Sequence, residues 1–308
     1  MSPGPDPLRW RIGLVGYGEV GRILAEDLRA RGVRVGGYDV KLDDGRGEGI
    51  RGHAGEHGVT LYAGHADLAR DSDLVVSAVT ASQAVPVATA CAPGLSAGAF
   101  VLDLNSASPG AKAQAFDILE GTGGRYVEGA VMTSVPPHRI RVPLLLGGPH
   151  APALERPLSA LGFAGRVCDE RLGVASATKM CRSVLVKGLE ATLVECLTTA
   201  RAYGVEDAVL ASLFETYPGL DWETQSAYMF QRVIEHGRRR SEEVREVAQT
   251  VREIGLTPWA ADGTAARQAW VADLADTGVF GTRGSAEFAT STDWRVEADR
   301  ILRHITKE

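Results

Sequence analysis

A glycine-rich segment near the N-terminus has residue types and spacing that suit phosphate binding. It lies between an apolar run and a helical pattern, and its six residues are Gly16, Tyr17, Gly18, Glu19, Val20 and Gly21. In this G-x-G-x-x-G pattern, Gly16 permits a tight turn, Gly18 lets backbone N–H groups approach a pyrophosphate, and Gly21 lets the helix pack on the strand. The strand before it and the helix after it favour a dinucleotide-binding loop over a chance glycine-rich turn.

An acidic residue ends the second apolar run. Asp39 follows Gly21 by 18 positions (39 − 21), where such folds place a carboxylate against the adenosine ribose. This carboxylate would accept hydrogen bonds from the ribose hydroxyls and repel a 2′-phosphate, so we expect NAD as the cofactor. Lys41 lies nearby and could balance a phosphate charge, which leaves NADP as the second option. The alternative role of Asp39 is to form a turn.

Two further polar loops follow predicted strand ends, where an open parallel sheet binds its ligands. The first loop contains Val79 and Thr80, and the second contains Asn105 ahead of Pro109. The Asn105 amide carries both a donor and an acceptor, which suits a nicotinamide carboxamide or a substrate group. The alternative for Asn105 is a helix cap before Pro109, and the two roles are compatible.

The stretch over residues 173–190 predicts a helix with one polar face. At helical spacing this face contains Lys179, Arg182, Ser183, Lys187 and Glu190. The pattern alone is also typical of an amphipathic helix whose polar face is solvated.

A second basic cluster follows in the same half of the chain. His236, Arg239 and Arg240 share one helical face, and Glu243 lies one turn further on. Arginine binds carboxylates and phosphates through two parallel hydrogen bonds, so the cluster is a candidate site for an anionic substrate. The alternative is a solvated face stabilised by pairs with neighbouring glutamates.

Short apolar runs alternate with helical stretches through the first half of the chain. They predict strands over 11–16, 33–38, 59–62, 74–79, 100–104, 126–131 and 142–146. This alternation predicts an α/β fold with a Rossmann-type, doubly wound, mainly parallel sheet. Residues 43–58 are rich in glycine and charge, and they predict a surface loop.

Helical patterns dominate the second half, over 173–202, 206–217, 221–236, 238–254 and 261–276. We therefore expect three parts. These are a flexible leader over 1–8, a dinucleotide-binding Rossmann domain over 9–170, and an all-helical domain for substrate binding and dimerisation over 171–308.

Charge and cysteine usage exclude several classes of protein. The 308 residues carry 33 Lys and Arg against 39 Asp and Glu, a net charge of −6, so no nucleic-acid partner is expected. The four cysteines form no C-x-x-C pair, which predicts no metal site and no disulfide framework. No apolar stretch is long enough for a membrane span, and the N-terminus does not read as a signal peptide, so we expect a cytoplasmic protein.

Over nearly its whole length the sequence resembles the β-hydroxyacid dehydrogenases, a group that includes 3-hydroxyisobutyrate and 6-phosphogluconate dehydrogenases. The resemblance runs from GYGEVG through DLNSASP to the G-x5-K segment over 173–179. The second half is similar to a branch with a phosphogluconate-dehydrogenase-like C-terminal domain, at KMCRSVLVKGLE, PGLDW and HGRRRSEEVREV. In the family this lysine is the catalytic general acid/base, and Lys179 matches it by position.

The resemblance implies NAD(P)-dependent hydride transfer on a small hydroxy acid or its phosphate. Lys179 would act as the base, which requires a pKa below the usual value of about 10.4. Asn105 and Ser183 would orient the substrate oxygen. The acidic group of the substrate would be held by Thr133, Ser134, Lys187, His236 and Arg239.

Two departures from the family pattern predict a different anionic substrate. The family substrate loop reads roughly D-A-P-V-S-G-G, whereas this chain places Met132, Thr133 and Ser134 at its end. Ser183 stands where the family has an asparagine four residues after the lysine. The cofactor-binding half is unaffected by either change.

The resemblance also implies a homodimer formed through the helical domain, with residues 271–274 and Phe280 as candidates for its interface. Two other functions stay open. One is an imine reductase, although such enzymes generally carry Asp or Tyr where Lys179 stands. The other is a cofactor-sensing protein without turnover.

Overall fold

The computed structural model describes residues 6–285, 288–289 and 291–306. The chain divides into two compact units, an N-terminal unit over residues 1–180 and a C-terminal unit over 181–308. Of the predicted leader, residues 1–5 lie outside the described residues. Pro7–Arg9 form a short 3-10 helix, and the Asp6 side chain accepts a hydrogen bond from its backbone. The last residues of the leader are therefore structured.

An eight-stranded sheet forms the centre of the N-terminal unit. Its strands are β1 (Arg11–Val15), β2 (Arg34–Tyr38), β3 (Thr60–Leu61), β4 (Leu74–Ser77), β5 (Phe100–Asp103), β6 (Arg125–Val131), β7 (Pro143–Gly147) and β8 (Ala164–Asp169). The strand order is β3-β2-β1-β4-β5-β6-β7-β8, and all pairs are parallel except β6 with β7. The first six positions have the order of a doubly wound dinucleotide-binding sheet, which confirms the predicted fold class.

Helices cover the two faces of this sheet. They are α1 (Glu19–Ala30), α2 (Glu48–His57), α3 (His65–Arg70), α4 (Ala84–Cys91), α5 (Pro109–Glu120) and α6 (Ala151–Leu161). Every residue of β4 and of β5 is buried. Burial on both faces explains why these strands read as continuous apolar runs rather than as alternating ones.

Two elements of the N-terminal unit differ from the prediction. Residues 43–58 are not one surface loop, because Glu48–His57 form α2 with Ile50 and Ala54 buried beneath it. The several glycines of this segment conceal a helix that tertiary packing stabilises. The edge strand β8 was not predicted, since AGRVCD contains too few apolar residues to mark a strand.

A long helix, α7 (Val174–Tyr203), begins in the N-terminal unit and continues in the other. The C-terminal unit also contains α8 (Glu206–Thr216), α9 (Trp222–Glu253), α10 (Trp259–Asp276) and α11 (Trp294–Ile305). Within the described part of residues 181–308 no strand occurs, as predicted. None of the described helices is long and apolar enough to cross a bilayer.

The C-terminal core corrects two expectations. The predicted helices over 221–236 and 238–254 are one helix, α9, which passes through Gly237. The candidate interface residues Val271, Leu274 and Phe280 are all buried in the core of their own unit. They are therefore not free to form a dimer interface, and a homodimer through this unit stays a prediction.

Gly237 permits the close packing of α9 against α10. A Cβ atom at this position would lie 2.7 Å from the backbone oxygen of Gln268. We expect Gly237→Ala to lower the free energy of unfolding by about 1–3 kcal/mol, because backbone must move to admit the methyl group.

The matched control is Gly263→Ala in α10, where a Cβ would meet no described atom within 4 Å beyond its chain neighbours and the backbone of its own helix. There alanine should raise the free energy of unfolding by about 0.5–1 kcal/mol, through its greater helix propensity. Urea denaturation followed by circular dichroism measures both. Equal effects of the two substitutions would contradict this account of the packing.

Candidate active site

The glycine loop after β1 is closely packed on one side and open on the other. Gly16 has a φ of +88°, and a Cβ there would lie 2.4 Å from the backbone oxygen of Ala78. A Cβ at Gly21 would lie 2.2 Å from the backbone oxygen of Gly16. Both positions thus require glycine for the reasons that the sequence pattern predicts.

Gly18 and α1 fit a bound pyrophosphate. Gly18 is the N-cap of α1 and has no side chain to accept hydrogen bonds from the first amides of this helix, and a Cβ there would meet nothing within 4 Å among the described residues. The amides of this helix terminus are therefore open to an anion, which the helix dipole also favours. Glu19 is exposed and Val20 packs partly against the core.

Asp39 connects the loops that follow β1 and β2. Its Oδ2 accepts a hydrogen bond from the Tyr17 amide at 2.8 Å, and its Oδ1 accepts one from the Lys41 amide at 3.0 Å. The half-buried carboxylate retains lone pairs that could accept from a ribose. Asp39 therefore caps a short 3-10 helix, Val40–Leu42, as a turn former would, and the ribose contact stays a prediction.

Asn105 joins the loops after β4 and β5. Its side-chain oxygen accepts a hydrogen bond from the Val79 amide at 2.7 Å, and its side-chain nitrogen donates to Ser77 Oγ at 2.9 Å. The alternative that Asn105 caps α5 is wrong, because Ser108 is the N-cap and its Oγ accepts from the backbone. Next to this link, Thr80 is exposed and Val79 is half-buried.

A buried ionic network supports the loop after β5. Lys112 Nζ lies 2.9 Å from Asp103 Oδ1, and the hydroxyl of Tyr126 donates to Asp103 Oδ2 at 2.8 Å. The backbone N–H of Asn105 donates to Asp103 Oδ1 at 2.9 Å. Burial and the Asp103 carboxylate hold the pKa of Tyr126 well above its usual value, so this phenol remains a donor. Asp103 begins the DLNSASP segment of the family resemblance but was assigned no role from the sequence, and Lys112 lies outside every quoted motif.

Glu128 fixes the start of α7. This fully buried carboxylate accepts from the amides of Gly173 at 2.7 Å and Ala175 at 3.1 Å through Oε1, and of Ser176 at 3.2 Å through Oε2. Gly147 lies opposite on β7, where a Cβ would come within 2.4 Å of Glu128 Oε1. A side chain from β6 thus caps a helix 45 residues further along the chain.

Lys179 lies in the first turns of this capped helix. Its Nζ donates a hydrogen bond to Ser106 Oγ at 2.6 Å, and Ser106 belongs to the loop after β5. Because β1, β4, β5 and β6 are parallel, the loops after them share one edge of the sheet. The Lys179 amine is therefore held at the edge that carries the glycine loop. Ser106 was not among the predicted site residues.

The segment after β6 lies at the same edge. Met132 is half-buried and packs against a small apolar cluster that includes Leu145 and Ala175. Thr133 and Ser134 are exposed. Two hydroxyl groups are thus available to a ligand at the place where the family loop would offer serine and glycines.

The remaining predicted substrate residues lie in the C-terminal unit. Ser183 and Lys187 are buried, and Lys187 Nζ lies 2.5 Å from Glu243 Oε2. Burial lowers the pKa of Lys187, while the Glu243 carboxylate opposes that shift. Arg239 also pairs with Glu243, at 2.9 Å.

The neighbouring arginines also form ion pairs with acidic side chains. Arg240 is buried and pairs with Glu190, whereas Arg238 pairs with Asp273 and Asp276. Burial lowers the pKa of the half-buried His236. These ion pairs agree with the alternative in that acidic groups pair with the arginines, but buried Arg240 does not belong to a solvated face. A substrate contact by His236 or Arg239 stays a prediction.

Comparison with known proteins agrees with this architecture. Residues 11–107 match the family described as NADP oxidoreductase, coenzyme F420-dependent, and residues 200–271 match a domain of unknown function, DUF1932. A Methanothermus fervidus protein, described as an uncharacterized 28.5 kDa protein in the 7S RNA 5′ region, is 30% identical over 248 residues. This match covers 80% of the present chain and 93% of that protein.

Two solved structures are similar at comparable identity. A conserved hypothetical protein from Sinorhizobium meliloti 1021 is 34% identical with a TM-score of 0.74, over 95% of this chain and 96% of that one. The conserved protein MTH1747, whose structure is described as similar to 3-hydroxyacid dehydrogenases, is 30% identical with a TM-score of 0.67, over 87% and 98%.

More distant structures share the fold. A 3-hydroxyisobutyrate dehydrogenase from Mycobacterium tuberculosis, solved with L-serine, has a TM-score of 0.69 at 15% identity, over 95% of this chain and 99% of that one. An imine reductase from Myxococcus stipitatus, solved with NADP+, has a TM-score of 0.52 at 18% identity, over 87% and 95%.

The sheet order, the glycine loop and the family match over residues 11–107 together define the fold of an NAD(P)-dependent oxidoreductase. The chain belongs to the β-hydroxyacid dehydrogenase superfamily, as its resemblance in sequence implies.

The Glu128 cap can be tested with an isosteric change. Glu128→Gln places an NH2 group against backbone amides that now meet a carboxylate oxygen, so the free energy of unfolding should fall by about 1–3 kcal/mol. Glu170→Gln is the control, because Glu170 is exposed on the loop before α7. Urea denaturation that gave the same midpoint for both variants would exclude the cap as a source of stability.

The cofactor preference can be tested at Asp39. Asp39→Asn removes the charge that should repel a 2′-phosphate, so the ratio of NADP(H) to NAD(H) affinities should rise about tenfold. Asp44→Asn removes an equal charge from an exposed position five residues further along the chain, where Asp44 pairs with Arg46, and should leave the ratio unchanged. Fluorescence titration with both cofactors measures it, and an unchanged ratio in Asp39→Asn would contradict the ribose contact.

Proposed function

We propose that this protein transfers a hydride between a nicotinamide dinucleotide and the carbinol carbon of a small hydroxy acid or its phosphate. The observation that carries the proposal is the position of Lys179, whose amine bonds to Ser106 at the carboxyl edge of the parallel sheet. Ligands of doubly wound sheets bind at this edge. The glycine loop and the Asn105 link lie there too.

Lys179 is proposed as the general acid/base. When bound, the nicotinamide ring supplies or accepts the hydride. In the oxidation direction the neutral amine of Lys179 would take the proton of the substrate hydroxyl, and in reduction the ammonium group would return it. Ser106 would hold the amine in place, and the Asn105 link would keep the two loops at a fixed distance.

The acidic group of the substrate is assigned to the segment after β6. Thr133 and Ser134 are exposed there and offer two hydroxyl donors. The half-buried Met132 replaces a smaller residue of the family loop and would narrow the choice of substrate. Ser183, Lys187, His236 and Arg239 remain proposed contributors from the C-terminal unit.

Two substitutions of Lys179 separate charge from proton transfer. Lys179→Met should lower kcat by about 10²–10⁴-fold. Lys179→Arg should lower kcat by nearly as much, because a guanidinium does not release its proton at neutral pH. Cofactor affinity should stay within about twofold of the native protein, since neither change touches the glycine loop. Steady-state kinetics and fluorescence titration measure the two quantities.

The pH profile gives an independent readout of the same role. In the oxidation direction, kcat/KM of the native protein should rise with pH as the base loses its proton, and this limb should vanish in both variants. Full activity in Lys179→Met would overturn the assignment.

The other functions are separated by the choice of substrate. A panel of small hydroxy acids, keto acids and their phosphates, assayed with NAD(H) and NADP(H), should show turnover that cyclic imines do not. An imine reductase would give the reverse result. A cofactor-sensing protein would bind the dinucleotide tightly and turn over neither class.

A further inference from the structure

A cluster of imidazole and carboxylate groups joins α1 to α2 in the N-terminal unit. His53 and His57 lie four residues apart on α2, and Glu26 lies on α1. One candidate ligand atom from each of the three side chains lies within 4.8 Å of the other two. The proposed dehydrogenase chemistry uses none of these three residues.

The spacing of the two histidines presents both rings on one face of α2, because residues four apart are neighbours on a helix. Their ring centroids are 4.4 Å apart. His53 Nε2 lies 3.0 Å from Glu26 Oε1, so the carboxylate oxygen closes the third side of the cluster. All three side chains are only partly buried, so an ion could reach them from solvent.

Neighbouring groups orient two of the three side chains. The hydroxyl of Tyr17 lies 3.2 Å from His53 Nδ1. With an ion on Nε2, the Nδ1–H group would donate a hydrogen bond to this hydroxyl, whereas without an ion Nε2–H would donate to Glu26 Oε1. Arg139 Nη2 donates to the other oxygen of Glu26, Oε2, at 2.6 Å, and leaves Oε1 turned towards His53. Second-sphere partners of this kind are typical of metal ligands.

The geometry points to a site for Zn²⁺, or for a similar borderline transition metal, formed by Glu26, His53 and His57 with a water molecule as fourth ligand. Two imidazoles and a carboxylate suit such ions, which bind them at about 2.0–2.2 Å in tetrahedral geometry. Ligand atoms in that geometry are about 3.4 Å apart, so side-chain rotations that move these atoms by roughly 1 Å would complete the site. The ion would tie α2 to the helix that follows the glycine loop.

The test is calorimetric titration of the full-length, tag-free protein with ZnCl2. The native protein should bind one Zn²⁺ per chain, and His57→Gln should bind it at least tenfold more weakly. The matched control is His150→Gln, because His150 also pairs with a glutamate, Glu120, at 2.9 Å but belongs to no such three-residue group among the described residues. Its affinity for Zn²⁺ should equal that of the native protein.

Titration with Co²⁺ gives a second measurement on the native protein that does not depend on how a variant folds. The visible absorption bands of four-coordinate Co²⁺ should appear and saturate at one ion per chain. Absence of saturable binding by the native protein, or equal binding by a folded His57→Gln, would overturn the inference.

Discussion

The hydrogen bonds from three backbone amides to the Glu128 carboxylate determine how the proposed active site is assembled. A helix begins with amides that lack partners, and a buried terminus must find acceptors elsewhere. Here a carboxylate from the middle of β6 supplies them to Gly173, Ala175 and Ser176. These hydrogen bonds hold the first turns of α7 against the sheet. Lys179 therefore donates to Ser106 from a helix whose start has a fixed position.

The same principle extends to the loops around this helix. Asn105 holds the ends of β4 and β5 together, and Asp39 holds the loops after β1 and β2. In each case a polar side chain at the carboxyl end of a strand accepts a hydrogen bond from the backbone of its neighbour. Such side chains fix the edge of the sheet before any ligand arrives, which is the preorganisation that a binding site requires.

Local patterns in the sequence were sufficient for the fold class, a doubly wound and mainly parallel sheet, and for the glycine loop. The runs of β1, β4 and β5 are apolar because both faces of the sheet are covered, and Gly16 and Gly21 are required by contacts within a few residues or at the next strand. The prediction of two separate helices on either side of Gly237 was wrong for the opposite reason. Gly237 interrupts the local helical pattern, but the position requires glycine because α10 packs closely against it.

The site residues that sequence reasoning missed depend on long-range contacts. Ser106 and Lys179 are 73 positions apart, and Glu128 is 45 positions from Gly173. Lys112 looks like an ordinary helical lysine until the fold buries it against Asp103. His53 and His57 have helical spacing, but the glycines around them suggested a loop, so the face that they share could not be seen.

The pairing of Glu128 with Gly147 has a further consequence, which concerns the evolution of the sequence rather than the chemistry of the site. The carboxylate occupies the volume that a side chain at position 147 would fill. Neither residue can therefore change alone without loss, since a larger residue at 147 expels the carboxylate and a smaller one at 128 leaves a buried gap. Among relatives, glutamate and glycine should therefore occur together at these two positions. A relative in which both residues differ would need other acceptors for the amides at the start of α7.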